Sequence, residues 1–159
     1  MYEKERMEVI NIGTEMAKTS LVVGTWGNIS KRIDDNLIAI TPSGMVYYYL
    51  KPEDITILNM DGKVVDGERK PSIEYNMHLE IYKNRSEIGA VVHTHSTYCT
   101  ALAMARKGIP GAAEDLVQIT GGDVRVSEYA LPGSMELAKN AVKALEERNA
   151  VILANHGAL

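Results

Sequence analysis

Apolar residues Met7, Ile10, Met16, Ala17 and Leu21 fall at helical spacing and predict an amphipathic helix over residues 5–21. Gly24 and Gly27 interrupt that pattern. Short β-rich runs at 28–33 and 36–40 then flank an Asp34-Asp35-Asn36 turn and predict two strands. Residues 40–44, ITPSG, read as a loop, and 55–67 as a hairpin turning tightly at Asp61-Gly62. Pro71-Ser72 opens a helix to about residue 83, with Ser72 as its N-cap and Met77 and Ile81 inward. A buried strand is predicted at 89–95 and a helix at 98–107. A weak strand follows at 116–119 and an alternating one at 124–129. Ser134 caps a helix through 147 with Leu137, Ala138, Ala141 and Leu145 inward, and 150–154 forms a last buried strand. No repeat or linker divides residues 1–159, which predict one layered α/β domain with a largely antiparallel sheet. The chain stops in a loop, NHGAL, where such a domain is expected to continue into a helix, so a truncated C-terminus is expected.

The 159 residues suffice for one independently folding core, and 45% hydrophobic with 24% charged residues is ordinary for a globular protein. A net charge of −4 without any Lys/Arg-rich run argues against a nucleic-acid partner. Small anions remain possible ligands, because they need only a local nest of donors. Cys99 is the one cysteine, so an intrachain disulfide is excluded. The charged start, MYEKERMEV, lacks a signal-peptide core, and no apolar run approaches the ~18 residues of a membrane span. The expectation is a cytoplasmic protein without a membrane partner.

Candidate chemistry concentrates on histidine. His93 and His95 lie two apart in VVHTHS, so in a strand both imidazoles leave one face and can share a metal. Taken alone, such a pair is as often two incidental polar residues at a strand end. His156 changes that balance, because it ends a second buried run and precedes Gly157, which permits close backbone approach. Three imidazoles at two strand ends form the kind of set that holds catalytic zinc with one position open. Glu74 and His78, four apart, share a helical face. Glu74 is the better site candidate, although a carboxylate there also complements the helix dipole. His78 reads more simply as a partly exposed helical residue paired with Glu74. The loops 24–30 and 41–44, with Ser72 at a helix start, offer neutral donors suited to phosphate, yet each is first of all a turn.

In chain order, GNIS, ITPSG, PSIE, VVHTHS and NHG resemble the class II aldolase/adducin family across nearly the whole sequence, and the HTH and NHG pair is the most specific part. The resemblance implies an α/β/α domain about a central, largely antiparallel sheet. It also implies Zn2+ held by His93, His95 and His156, with Glu74 as catalytic acid/base and a possible fourth ligand without substrate. A phosphate pocket of Asn28, Ser43, Gly44 and Ser72 is implied, as is a homotetramer with active sites between subunits. The implied activity is reversible cleavage of a ketose 1-phosphate, such as L-fuculose 1-phosphate, to dihydroxyacetone phosphate and an aldehyde.

Two departures from the family pattern bear on that reading. Ile73 stands where the aldolases carry a second serine, a loss of one neutral hydrogen bond worth ~1 kcal/mol. The family's tyrosine acid has no counterpart in residues 110–119, PGAAEDLVQI, where Glu114 is the candidate substitute and a solvated acidic loop the plain alternative. A glutamate there is similar to the methylthioribulose-1-phosphate dehydratases, which makes a dehydratase the nearest rival. The 4-epimerases carry Asp where this chain has Glu74, and retention of all candidate ligands argues against a non-enzymatic adducin-like module.

Overall fold

The computed structural model describes residues 1–159. Helix α1 (Glu3–Lys18) leads into strands β1 (Asn28–Arg32) and β2 (Leu37–Ile40), followed by β3 (Thr56–Asn59) and β4 (Val64–Asp66). Helix α2 (Tyr75–Asn84), strand β5 (Ala90–His93) and helices α3 (Thr97–Ala105) and α4 (Glu114–Thr120) come next. Strand β6 (Arg125–Ser127), helix α5 (Met135–Leu145) and strands β7 (Val151–Leu153) and β8 (Gly157–Ala158) complete the chain. Five strands form an entirely antiparallel sheet in the order β4-β3-β2-β1-β5. A second sheet, β6-β7-β8, joins β6 parallel to β7 and β7 antiparallel to β8. Paired hydrogen bonds between Thr94 and Ala158, 2.9 and 3.0 Å, tie the two sheets where β5 ends.

Strand alternation separates two apolar layers. Ile29, Ala39 and Ile57 face α1, packing with Val9, Ile10 and Met16. Ile38, Ile40, Leu58 and Val91 face the opposite way, against Met77, Ile81 and Tyr82 of α2 and Leu137, Ala138 and Ala141 of α5. This is the expected layered α/β/α arrangement. Asn28 and Ser30 also belong to that second face and are buried within it.

Several local expectations need correction. The buried stripe of α1 is Arg6, Val9, Ile10, Gly13 and Met16, while Met7 and Leu21 are exposed. Gly13 sits on the stripe because the Tyr47 ring lies where a Cβ would be. Residues 116–119 are helical rather than a strand: Glu114 and Asp115 occupy the first turn of α4, where acids complement the helix dipole, and Gly121 closes it at φ 79°. The 124–129 strand shortens to β6. The 55–67 hairpin closes through residues 60–63, with Asn59 Oδ1 accepting from the backbone of Asp61 and Lys63. Ser72 lies too early to cap α2, whose N-cap position is Glu74. Ser134 does cap α5, its hydroxyl accepting from Leu137 N at 3.1 Å.

Candidate metal centre

Backbone pairing brings three sequence-distant segments to one corner. Ile29 N donates to Thr41 Oγ1 (3.1 Å), and Ser72 N donates to Thr41 O (3.0 Å). A Pro42–Pro71 bridge and a bond from Ser43 N to Lys70 O complete the lacing. Asn28, Ser43, Gly44, Ser72 and Glu74 are thereby carried on paired stretches of chain. Ser43 and Gly44 are exposed, and no atom lies within 4 Å of where a Gly44 Cβ would be. Ser72 is buried and turns its hydroxyl inward, accepting from Glu74 N at 3.3 Å.

On the other side of the corner, β1 pairs Asn28 with His93 at the end of β5. His95 lies just beyond the strand, where its N–H donates to Leu21 O (3.1 Å) and Trp26 covers its ring at 5.6 Å. His156 comes from the turn between β7 and β8, and the Thr94–Ala158 bridge draws that turn against β5. The three rings converge with centroids 4.7–5.0 Å apart, and a ligand nitrogen from each lies within 4.8 Å of the others.

The protonation of this cluster suits a cation. His93 Nδ1–H donates to Ala158 O at 3.0 Å, which leaves its Nε2 as a bare lone pair 2.9 Å from His95 Nε2. Burial, with His156 and His95 nearby, holds His93 well below the usual imidazole range. Burial and then His156 lower His95 to about 4. Glu74, almost fully buried, turns its carboxyl toward the rings: its Oε2 lies 3.3 Å from His93 Nε2 and its Oε1 3.5 Å from His156 Nε2. Glu74 Oε1 has no hydrogen-bond donor although it is shielded from water. A buried carboxylate oxygen lacking a donor, aimed at a cluster of three imidazoles, fits a divalent metal of the type that imidazole ligands favour.

The proximity has a steric requirement. A Cβ on Gly157 would meet Thr94 O at 2.4 Å and His93 Cε1 at 3.2 Å. Gly157→Ala is therefore expected to lower stability by about 1–3 kcal/mol and to weaken metal binding with it. Thermal denaturation and metal titration of the variant check both effects.

The structure does not bring every candidate into this corner. Glu114 is exposed on α4, where its Oε1 accepts from Gln118 Nε2 at 3.5 Å. His78 was expected to be partly exposed and paired with Glu74. It is instead fully buried, hydrogen-bonded to Asn28 and Ser30. Ser30, expected among the phosphate donors of the 24–30 loop, is instead buried against His78 and Tyr82, and neither Tyr82 nor the ring of Trp26 carries an expected role. The available signal was polar spacing: residues 28 and 30 share a strand face, and 74, 78 and 82 recur every fourth residue.

A metal-ready histidine cluster beside a buried glutamate, on this layered sheet, defines the class of protein. The chain belongs to the family described as the class II aldolase and adducin N-terminal domain, whose sequence profile matches residues 7–159. It is 45% identical over 158 residues to a 5-deoxy-D-ribulose 1-phosphate aldolase of Bacillus thuringiensis serovar kurstaki, covering 99% of this chain and 74% of that one. An L-fuculose phosphate aldolase of Methanococcus maripaludis strain S2 is 41% identical, with 94% of this chain and 80% of the relative covered. A solved L-fuculose 1-phosphate aldolase structure superposes with a TM-score of 0.92 at 46% identity, covering 98% of this chain and 73% of its own.

Proposed function

We propose that this chain is a zinc-dependent aldolase that reversibly cleaves a ketose 1-phosphate to dihydroxyacetone phosphate and an aldehyde. L-fuculose 1-phosphate and 5-deoxyribulose 1-phosphate are the leading substrates. The observation that carries the reading is the Glu74 carboxylate within 3.5 Å of two imidazoles in a cluster of three. Relatives named as aldolases for those two sugar phosphates support it.

His93, His95 and His156 would hold the metal, with Glu74 as a fourth ligand until substrate arrives. When bound, zinc supplies a Lewis acid that stabilises negative charge developing on the C2 carbonyl oxygen. Cleavage requires the C4 hydroxyl to lose its proton, the C3–C4 bond to break, and C3 to be protonated. Glu74 delivers the proton to C3, which becomes the hydroxymethyl carbon of dihydroxyacetone phosphate. In the reverse direction it removes that proton. Ser43, Gly44 and Ser72 hold the phosphate and thereby orient the reacting carbons from a remote group, while the Asn28 carboxamide, expected beside them, bonds Glu74 and His78. Glu114, exposed on α4, takes the C4 hydroxyl proton in the site of a neighbouring copy within a homotetramer.

The test measures zinc content and turnover together, coupling dihydroxyacetone phosphate to NADH oxidation. About one zinc per chain and product from either sugar phosphate is the expected result. Zinc with loss of water but no dihydroxyacetone phosphate would move the assignment to a dehydratase. Folded protein that takes up no metal would end the metal-dependent reading.

A further inference from the structure

Five polar groups run in single file through the layer between the main sheet and α2, on the sheet face that also carries Ile38, Ile40, Leu58 and Val91. Tyr82 OH lies 2.8 Å from Ser30 Oγ, and Ser30 Oγ lies 2.6 Å from His78 Nδ1. His78 Nε2 is 2.5 Å from Asn28 Oδ1, and Asn28 Nδ2 donates to Glu74 Oε2 at 2.8 Å. All five residues are buried, His78 and Ser30 completely.

Each bond in this file sets the donor and acceptor of the next. Asn28 Nδ2 donates to Glu74 Oε2, so the Asn28 carbonyl faces His78. The ring must then carry a proton on Nε2. Burial keeps His78 neutral, with its pKa lowered to about 3, so Nδ1 is an acceptor. Ser30 therefore donates to Nδ1 and accepts from Tyr82. All four bonds point the same way and end on the carboxylate.

Resting on the proposed role of Glu74, we infer that His78 is a positioning residue that, through Asn28, fixes the Glu74 carboxylate for proton transfer at C3. A general acid/base works only when its oxygen meets the reacting carbon in a narrow geometry. The Glu74 side chain makes no capping bond to α2, and its Oε1 accepts from nothing. The donor on Oε2 is the restraint. Asn28 can supply it only while His78 holds the amide from turning over. A polar file through an otherwise apolar layer costs stability that hydrophobic side chains would not, which fits a geometric role.

Zinc-loaded wild type, His78→Leu, His78→Gln and Tyr82→Phe test this. His78→Leu is expected to lower kcat roughly tenfold to hundredfold, with KM and zinc content within about twofold of wild type. His78→Gln, whose amide can still donate toward Asn28, recovers most of that loss. Tyr82→Phe, which leaves Ser30 free to donate to the ring, keeps kcat within about threefold. Nitrogen NMR of wild type is expected to show His78 as the neutral Nε2–H form down to about pH 5. A folded His78→Leu enzyme with unchanged kcat overturns the inference. So does an Nδ1–H tautomer, which needs no variant to detect. If wild type binds zinc but makes no dihydroxyacetone phosphate, the aldolase reading fails, and the NMR result still decides the direction of the file.

Discussion

Glu74→Gln is expected to keep the fold and the bound metal while losing turnover by about 10²–10⁴-fold, the usual contribution of a positioned acid or base. Glutamine matches the shape of glutamate, and its carbonyl oxygen can still accept from Asn28 Nδ2, so the hydrogen bond at Oε2 survives. The lost property is the capacity to gain and release a proton. Exchange of a dihydroxyacetone phosphate hydroxymethyl hydrogen with deuterated solvent isolates that step, because it needs no aldehyde and no carbon–carbon bond formation. Wild type should exchange and Glu74→Gln should not. Exchange at the wild-type rate in the variant would remove Glu74 from proton transfer and leave it a ligand or structural group. Loss of zinc in the variant would instead show that the carboxylate chiefly holds the metal.

The metal-site candidates were legible because their geometry follows from local periodicity. The spacing of two carries His93, at the end of β5, and His95, just beyond it, to one side, and Gly157 marks a close approach, since a Cβ there would lie 2.4 Å from Thr94 O. His156 joins them through a two-residue bridge between sheets, a long-range pairing that no local pattern states. The role of His78 was hidden for a related reason. On a helix, a polar stripe at 74, 78 and 82 ordinarily faces solvent, and NISKR reads as a strand with one wet face. Only the docking of α2 on β1 turns both polar stripes toward each other, where each satisfies the other. The α4 segment misled because LVQI is too short an apolar run to distinguish strand from helix, and the acidic residues before it suit a helix's first turn.

The same buried histidine predicts how the protein responds to acid. His78 is neutral in the folded state with its pKa lowered to about 3, whereas in the unfolded chain it titrates near ~6.5. Above pH ~6.5 neither state is protonated, and His78 makes stability independent of pH. As pH falls below that value the unfolded chain binds a proton that the folded site refuses, so stability drops until the folded pKa is reached. The cost of this one group is about 2 kcal/mol by pH 5 and about 4–5 kcal/mol across the full window. The titratable groups nearest His78 do not alter the sign. Tyr82, with its pKa pushed up to about 12 by burial, stays neutral throughout, and His93 is held low by burial as well. Glu74 reaches His78 only through Asn28. Because His93 and His95 also lose stability in acid, the variant difference is the informative quantity. Urea unfolding of metal-free wild type and His78→Gln at pH 8 and pH 5 should show wild type losing about 2 kcal/mol more than the variant. Equal losses would mean that His78 accepts a proton inside the fold. Nδ1 would then donate to Ser30, and the file of hydrogen bonds could not run in one direction toward Glu74.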